Sequence, residues 1–388
     1  MATRGVHLQY RFESEAAAGA SCQQGAQVQN PLFELLLAVR EQGSIQKAAR
    51  CMGVSYRHLW GALKHWQEVL GQPLVSWSQG QPARLTPFAE RLLWAETRAR
   101  ARLTPHIEAL RAELERVLTE ALDGSQQVLT IFASHDLALP LLREHASARG
   151  LHIELRFAGS LDALRALGEG RCSVAGFHVP ALANASHVFA SQLKPLLKPG
   201  RHKLIGGARR WQGLMVARDN PLQLQGLADV AALRARFVHR QAGSGTRLLL
   251  EHLCQAAKVR AADLLGHAAG DEDSHLAVAA AVASGQADAG LGIEAAARQF
   301  SLGFVPLIEE DYFLVCLQDV LEQPAVLMLR EVLASQPWRA TVAGLAGYSA
   351  AHSGEVLSLT RALPWWHFRT ARQGAARGAS EPKLKPPG

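Results

Sequence analysis

The densest group of chemically capable residues is the run Arg240-Gln241-Ala242-Gly243-Ser244-Gly245-Thr246-Arg247. It joins a strand-like segment, RFVHRQ, to an apolar helical segment, TRLLLEHLCQAAK. The first turn of a helix has unpaired backbone N–H groups and a partial positive charge. Gly243 and Gly245 let an anion approach the backbone closely. Ser244 and Thr246 add hydroxyl donors, Arg240 and Arg247 add charge, and Gln241 shares the turn. The combination suits an oxyanion or a carboxylate. The lysine and spacing of a nucleotide-binding P-loop are absent, which argues against ATP. Other strand–glycine–helix turns share part of this chemistry, and the two arginines distinguish this one.

Further donors stand at other strand-to-helix corners: Ser134-His135-Asp136, Gly159-Ser160, His178 at the end of a third strand, and Ser274-His275 at the head of LAVAAAVASG. Ligands of open α/β sheets sit beyond the carboxyl ends of the strands. Taken singly, each serine reads as a helix cap and each histidine as a packed or solvated side chain. Their repetition predicts convergence on one small anion between two lobes. No GxSxG, HExxH or spaced Cys/His set occurs, and Asp271-Glu272-Asp273 reads as a solvated turn, so neither an enzyme, a metal site nor a covalent cofactor is expected.

A different chemistry is concentrated near the start. Between Gly43 and Arg84 stand Lys47, Arg50, Arg57, Lys64 and Arg84 against the single acid Glu68. Asn30-Pro31 starts a helix with Leu32, Leu35, Leu36 and Val39 at helical spacing. Ser44 caps a short helix, IQKAARCM; Gly53-Val54 turns, and Ser55 caps YRHLWGALKHWQEVLG. Ala48 and Ala49 allow a close crossing, and Ile45, Val54, Leu59, Leu63 and Trp66 form the inward face. Two short strands around Gly80 follow, starting at Leu74-Val75 and at Ala83-Arg84-Leu85. These features predict a winged helix-turn-helix over 29–86. Its DNA-facing candidates are Ser44, Gln46, Lys47, Ser55, Tyr56, Arg57, His58, Lys64 and Arg84. Residues 55–58 would lie over the major groove, with Lys47, Lys64 and Arg84 on phosphates.

The rest of the chain must hold these two sites. Residues 87–122 read as one helix, which Pro105 should interrupt or kink. Its apolar stripe of Ala99, Leu103, Ile107, Leu110, Leu114, Val117 and Leu118 fits a dimer seam or a face docked on the chain's own body. The dimer is preferred, because two-fold operators need two-fold proteins. After the linker DGSQQ, residues 128–350 alternate strand and helix, which predicts parallel α/β pairing in two lobes with crossings near 205–212 and 303–306. Residues 1–28 read as a flexible segment with one possible strand, VHLQYRF. Residues 368–388 read as a disordered basic tail, either passively solvated or adding to DNA affinity.

Composition supports this organisation. The chain has 388 residues, a formal net charge of +7 and 48% hydrophobic residues, which excludes wholesale disorder and leaves room for two or three domains. No apolar run reaches the ~18 residues of a membrane span. The N-terminus has no apolar signal-peptide core, and the five cysteines (Cys22, Cys51, Cys172, Cys254 and Cys316) form no CxxC pair. A cytoplasmic location is expected.

The segment GSIQKAARCMGVSYRHLWGALKHW resembles the winged helix-turn-helix of molybdate-responsive transcription regulators, whose recognition helix opens Ser-Tyr-x-x-x-Trp, here Ser55, Tyr56 and Trp60. LysR-type regulators share the scaffold and are placed second. The small oxyanion-binding β-barrels of the molybdate-responsive family are not seen. Instead FVHRQAGSGTR, SHLAVAAAVASGQADAGLGI and VPLIEEDY resemble a periplasmic-binding-protein-like domain related to molybdate- and tungstate-binding proteins. These resemblances imply a dimeric, DNA-binding regulator of α plus α/β architecture. Its effector would be molybdate, tungstate or a molybdenum-cofactor-related anion. A LysR-like sensor of a small organic acid, and a cofactor-handling protein that does not bind DNA, stand as alternatives.

Overall fold

A computed structural model of the chain describes residues 30–76, 83–122, 127–181, 187–266, 270–363 and 365–366. The expected N-terminal strand, the tip of the wing at Gly80, nearly all of the DGSQQ linker and the basic tail lie outside them.

The N-terminal domain forms as its local signals dictate. Helix α1 (Pro31–Gln42) is capped by Asn30, whose Oδ1 accepts from the Leu32 N–H at 3.0 Å, and ends at Gly43 in the left-handed region. Helix α2 (Ile45–Cys51) starts at Ser44, and α3 (Tyr56–Leu70) at Ser55. Each of these serine oxygens accepts from the N–H three residues on. Ala48, Leu36, Val39, Leu59 and Leu63 are completely buried where the three helices meet. Ile45 is buried as expected, whereas Val54 and Trp66 are half-buried. Strands β1 (Val75–Ser76) and β2 (Arg84–Leu85) pair antiparallel as the stem of the wing.

Helix α4 (Pro87–Leu122) runs 36 residues without a break in helical assignment, and Pro105 lies inside it. Beyond it, ten strands form one mixed sheet, ordered β4-β3-β5-β10-β6-β9-β7-β8, with β11 and β12 added on β6. One half of the sheet holds β3 (Gln127–Ala133), β4 (Leu151–Phe157) and β5 (Val174–Pro180). The other holds β7 (Arg236–Val238), β8 (Leu265–Gly266) and β9 (Ala289–Ile293).

Two 15-residue antiparallel strands, β6 (His202–Val216) and β10 (Gly303–Leu317), run through both halves. β5 pairs with β10 at residues 310–315, and β9 pairs with β6 at residues 212–216. The expected all-parallel pairing is therefore corrected to a mixed sheet. The crossings expected near 205–212 and 303–306 fall within these two strands. Charged side chains inside β6 and β10 break the apolar pattern that marks a buried strand.

Helices cover both faces. α5 (Ala138–Ser147), α10 (His275–Ala283), α11 (Glu294–Gln299), α12 (Pro324–Ala334) and α13 (Gln336–Ala343) bury one core. α6 (Ser160–Gly168), α7 (His187–Leu193), α8 (Leu227–Ala232), α9 (Gly245–Ala256) and α14 (Leu359–Ala362) bury the other. The fold runs past the boundary expected at 350. β11 (Tyr348–Ser349) and β12 (Val356–Leu357) pair with β6, and Leu357, Leu359, Leu363, Trp365 and Trp366 are buried.

Each such side chain contributes about 1.5–3 kcal/mol of burial, so this segment matters on the scale of a whole domain's stability. A chain truncated after Ala350 is expected to lose most of its cooperative thermal transition. A melting temperature within a degree or two of the full chain would show the segment to be dispensable.

Candidate effector-binding site and nucleic-acid interface

The glycine-rich turn faces the other half of the sheet domain. Ser244 caps α9 by accepting from the Arg247 N–H at 3.2 Å and donating to the Gln241 carbonyl at 2.9 Å. A Cβ built on Gly159 would come 2.7 Å from the Gly243 carbonyl oxygen, and one on Gly245 would come 3.0 Å from Ser160 Oγ. The heads of α6 and α9 therefore meet across the gap, and only glycine permits the approach. Ser160, His178, Gly245 and Thr246 are buried there.

At the base of the gap a polar network crosses both halves. His178 Nδ1 lies 3.0 Å from Ser134 Oγ, and its Nε2 lies 3.6 Å from the Asp136 carboxylate. Asp136 pairs with Arg210 of β6 and accepts from Tyr348 at 3.0 Å. The Arg210 fork also holds Glu310 of β10, with nitrogen–oxygen distances of 2.6 and 2.5 Å. Gln212 donates to Glu310 at 2.9 Å and to Thr246 Oγ at 3.4 Å, which brings the network to the head of α9. Asp136, Arg210, Gln212 and Glu310 are each at most 2% exposed.

Burial penalises charge here, and the pairing offsets that penalty. Burial alone would raise the Asp136 carboxyl, but Arg210 and His178 hold it well below the usual range. Burial would likewise weaken Arg210 as a cation; Glu310, Tyr348 and Asp136 reverse this and keep it charged. Arg240, whose guanidinium donates to the backbone carbonyls of Glu272 at 3.2 Å and Asp273 at 2.8 Å, is pushed down to about 10 by burial and by Arg210. An anion beside it would therefore relieve an under-compensated charge.

Burial holds His135, His178 and His275 neutral, with Arg240 or Arg210 adding to the effect. Ser160 Oγ, His135 Nδ1, Tyr312 Oη and Gln212 Oε1 are buried without a hydrogen-bond partner among the described residues. Such groups cost free energy unless something pairs with them, and a bound ligand would.

Not every expected ligand contact is placed in the gap. The Ser274 hydroxyl caps α10 and donates to the Ala101 carbonyl of α4 at 3.2 Å, so it serves the linker helix. Gln241 is exposed. Ser244 has its oxygen engaged as a cap. His275 lies near Arg240, Arg210, His178 and His135, with its Nδ1 buried and unpaired among the described residues and 3.5 Å from a Cβ built on Gly292 of β9. Arg247 is half-buried, and its Nη1 has no hydrogen-bond partner among the described residues. Ser134, His135, Gly159, Ser160, His178, Arg240, Gly243, Gly245 and Thr246 do come together around the gap. Sequence reasoning missed Arg210, Gln212, Glu310, Tyr312 and Tyr348. The available signal was ionisable and aromatic residues inside segments otherwise fit for a buried sheet.

On the N-terminal domain, Gln46, Lys47, Tyr56, Arg57, His58, Lys64 and Arg84 are all exposed, Tyr56 to 52%. Ser44 and Ser55 accept backbone hydrogen bonds as helix caps. The face that carries these side chains combines a helix start with cations and the base of a wing, which suits a major groove flanked by phosphates.

Comparison with known proteins agrees with this division. Residues 32–90 match the lysR family of bacterial regulatory helix-turn-helix proteins, and residues 142–334 match the PBP superfamily domain. The uncharacterised protein YvgK of Bacillus subtilis (strain 168) is 32% identical over 237 residues, which is 61% of this chain and 75% of that protein. An uncharacterised protein encoded 5′ of a 2Fe-2S ferredoxin gene in Clostridium pasteurianum is 34% identical over 86 residues, 22% of this chain and 76% of that one. Among solved structures, CbnR in complex with its target DNA is 16% identical with a TM-score of 0.40, covering 78% of this chain and 97% of that one. ArgP from Mycobacterium tuberculosis is 20% identical with a TM-score of 0.37, covering 82% and 99%.

The chain thus joins a lysR-family DNA-binding helix-turn-helix over residues 32–90 to a PBP superfamily domain over residues 142–334. The scaffold placed second from sequence is thus the one the helix-turn-helix matches. No helix among the described residues is long and apolar enough to cross a membrane.

The neutral histidines have a consequence for stability. His135 is pushed down to about 4, against 6.5 for an unburied imidazole. Between these values the unfolded chain binds a proton that the folded chain refuses. Stability is thus fully present above about pH 6.5 and falls as the pH drops, by about 3 kcal/mol for His135 alone at pH 4. Thermal unfolding from pH 7.5 to 4.5 should show a steep fall in melting temperature that His135→Asn makes shallower. Superimposable pH curves for the two proteins would refute a buried neutral imidazole at this position.

Proposed function

We propose that this regulator senses a small anion, with molybdate or tungstate as the first expectation and a molybdenum-cofactor-related anion next. The anion would bind where the heads of α6 and α9 meet, with Arg240 supplying charge and Ser160, Gly245 and Thr246 supplying hydroxyl and amide donors. The observation that carries this reading is the meeting of the two helix heads across the gap beside buried, unpaired polar atoms and an under-compensated arginine. Capture favours the closed arrangement of the two halves, and the change reaches the DNA-binding domain through α4. A LysR-type sensor of a small organic acid uses the same donors, since a carboxylate and an oxyanion make the same demands on N–H and O–H groups. The protein would act in the cytoplasm and without catalysis.

A titration tests this in two readouts. Binding stabilises the native state by RT ln(1 + [L]/Kd), so molybdate at about 100 Kd should add about 2.7 kcal/mol, and Arg240→Ala should remove that gain. Molybdate should also change the affinity for operator DNA. Arg57→Ala should cost roughly 1–3 kcal/mol of sequence discrimination while leaving the fold intact. If molybdate leaves the melting temperature unmoved and a carboxylate panel raises it, the organic-acid reading replaces the oxyanion one. If no DNA is retarded selectively at any salt concentration, the regulator reading falls.

The proposed working form is a homodimer. Leu103, Leu110 and Val117 of α4 are 37%, 48% and 51% exposed, and they lie seven residues apart with Ile107 and Leu114 half-buried between them. Another face of α4 docks on the chain's own sheet domain, where Ala101 packs against Ala277 and Ala280. The exposed seam has the repeat of a helix pair. Leu110→Glu should shift the sedimenting species towards monomer and lower operator affinity. An unchanged dimer would place the two-fold contact elsewhere.

A further inference from the structure

Pro105 has no N–H to give, so the carbonyl of Ala101, four residues back in α4, loses its helical partner. That carbonyl accepts from Ser274 Oγ at 3.2 Å instead, and the same serine oxygen caps α10 by accepting from the Ala277 N–H at 3.1 Å. The weak point of the linker helix is thus seated on the head of α10. On its N-terminal side, Arg102 forks onto the carboxylate of Glu272 at 2.8 and 2.7 Å, with Glu272 only 1% exposed, and Arg98 bonds Gln286. On its C-terminal side, Glu108 pairs with Arg143 of α5 at 3.0 Å, and both are buried.

These two anchorages belong to different halves of the effector domain. Glu272, Ser274 and Gln286 belong to the half that carries β7 and β9, whereas Arg143 belongs to the half that carries β3, β4 and β5. α4 therefore bridges the halves that close on the proposed anion, with a proline between its two attachments. The clamp is also part of the wall of the gap. The Glu272 N–H donates to the His239 carbonyl, the Gln241 N–H donates to the Glu272 carbonyl, and the Arg240 guanidinium rests on the carbonyls of Glu272 and Asp273.

We propose that α4 is a hinged transmitter. Anion capture by Arg240 shifts the 271–274 segment, which moves Glu272 against Arg102 while Glu108 stays fixed to Arg143, and α4 bends at Pro105. Because the winged helix-turn-helix ends where α4 begins, the bend re-aims the recognition helix α3. Arg102, Pro105, Glu108, Glu272 and Ser274 act as positioning residues that do not touch the anion. A ligand moves such an element only through differential contacts with its two arrangements, and the Arg240 contact supplies that difference. The proposal rests on the anion-sensing reading above, so one arm of its test uses no ligand.

In the ligand-dependent arm, Pro105→Ala restores the amide at 105, gives Ala101 its helical partner back and stiffens the helix. The full-length variant should keep the molybdate-induced rise in melting temperature, while the molybdate effect on operator affinity falls to a factor of about one. Retention of the wild-type effect on DNA would overturn the hinge.

The ligand-free arm measures amide exchange over residues 98–108 in the full-length protein without any added anion. Arg240→Lys, at a residue not bonded to α4, should speed exchange there by about threefold or more, and Glu272→Gln should do so further, with β3 unchanged as an internal reference. Wild-type rates in Arg240→Lys would overturn the coupling whatever the ligand is. If molybdate does not stabilise the wild type while the exchange arm gives its expected result, the fault lies with the named anion, and the transmission stands.

Discussion

The effector domain is organised around a cation that could not survive alone. Arg210 lies in the middle of β6, 2% exposed, and an uncompensated guanidinium in that position would cost several kcal/mol. Asp136 from the corner after β3 and Glu310 from the neighbouring crossing strand pair with it, and Tyr348 and Gln212 complete the shell. Because the partners come from the corner after β3 and from the shared strands with β11, satisfying this one charge ties the first half of the sheet to those strands. It also sets up the site. Arg240 rests on backbone carbonyls, and burial together with Arg210 outweighs the favourable charges of Asp273, Glu310 and Glu272 on it.

The same electrostatics explain the histidines. Three imidazoles beside two arginines stay neutral because protonation would place further positive charge in a buried, already cationic setting. Neutral imidazoles and hydroxyls are suitable neighbours for an anion, since they donate hydrogen bonds without over-neutralising it. The relay Ser134–His178–Asp136 superficially resembles a nucleophile with its base. Asp136 is, however, locked to Arg210 and Tyr348, and the assembly is a structural brace at the base of the gap.

Much of the architecture was legible locally. Asn30, Ser44, Ser55, Ser244 and Ser274 all cap the helices that their types announced, because capping is settled by a side chain and an amide three residues apart or fewer. The winged helix-turn-helix and the turn at the head of α9 follow from such signals. The mixed sheet was not legible, since antiparallel pairing of β6 with β10 joins residues about a hundred positions apart. Arg210 and Glu310 were overlooked for the same reason, as each breaks the apolar pattern of its own strand and makes sense only beside the other. Ser274 was assigned to the gap although its hydroxyl serves α4, because a cap residue does not reveal its second partner.

The sequence by itself determined the elements, their caps, the basic reading head and the anion-friendly head of α9, all products of short-range hydrogen bonding and periodic burial. Tertiary structure alone decided which charges meet and which serines face the gap. It also decided which face of α4 is docked and which is left free. Burial turns a carboxylate, a guanidinium or a lone carbonyl into a group that must find a partner, and that partner came from a distant part of the chain. The carbonyl that Pro105 releases is the clearest case: the chain predicts that it is orphaned, and only the fold supplies Ser274 to receive it.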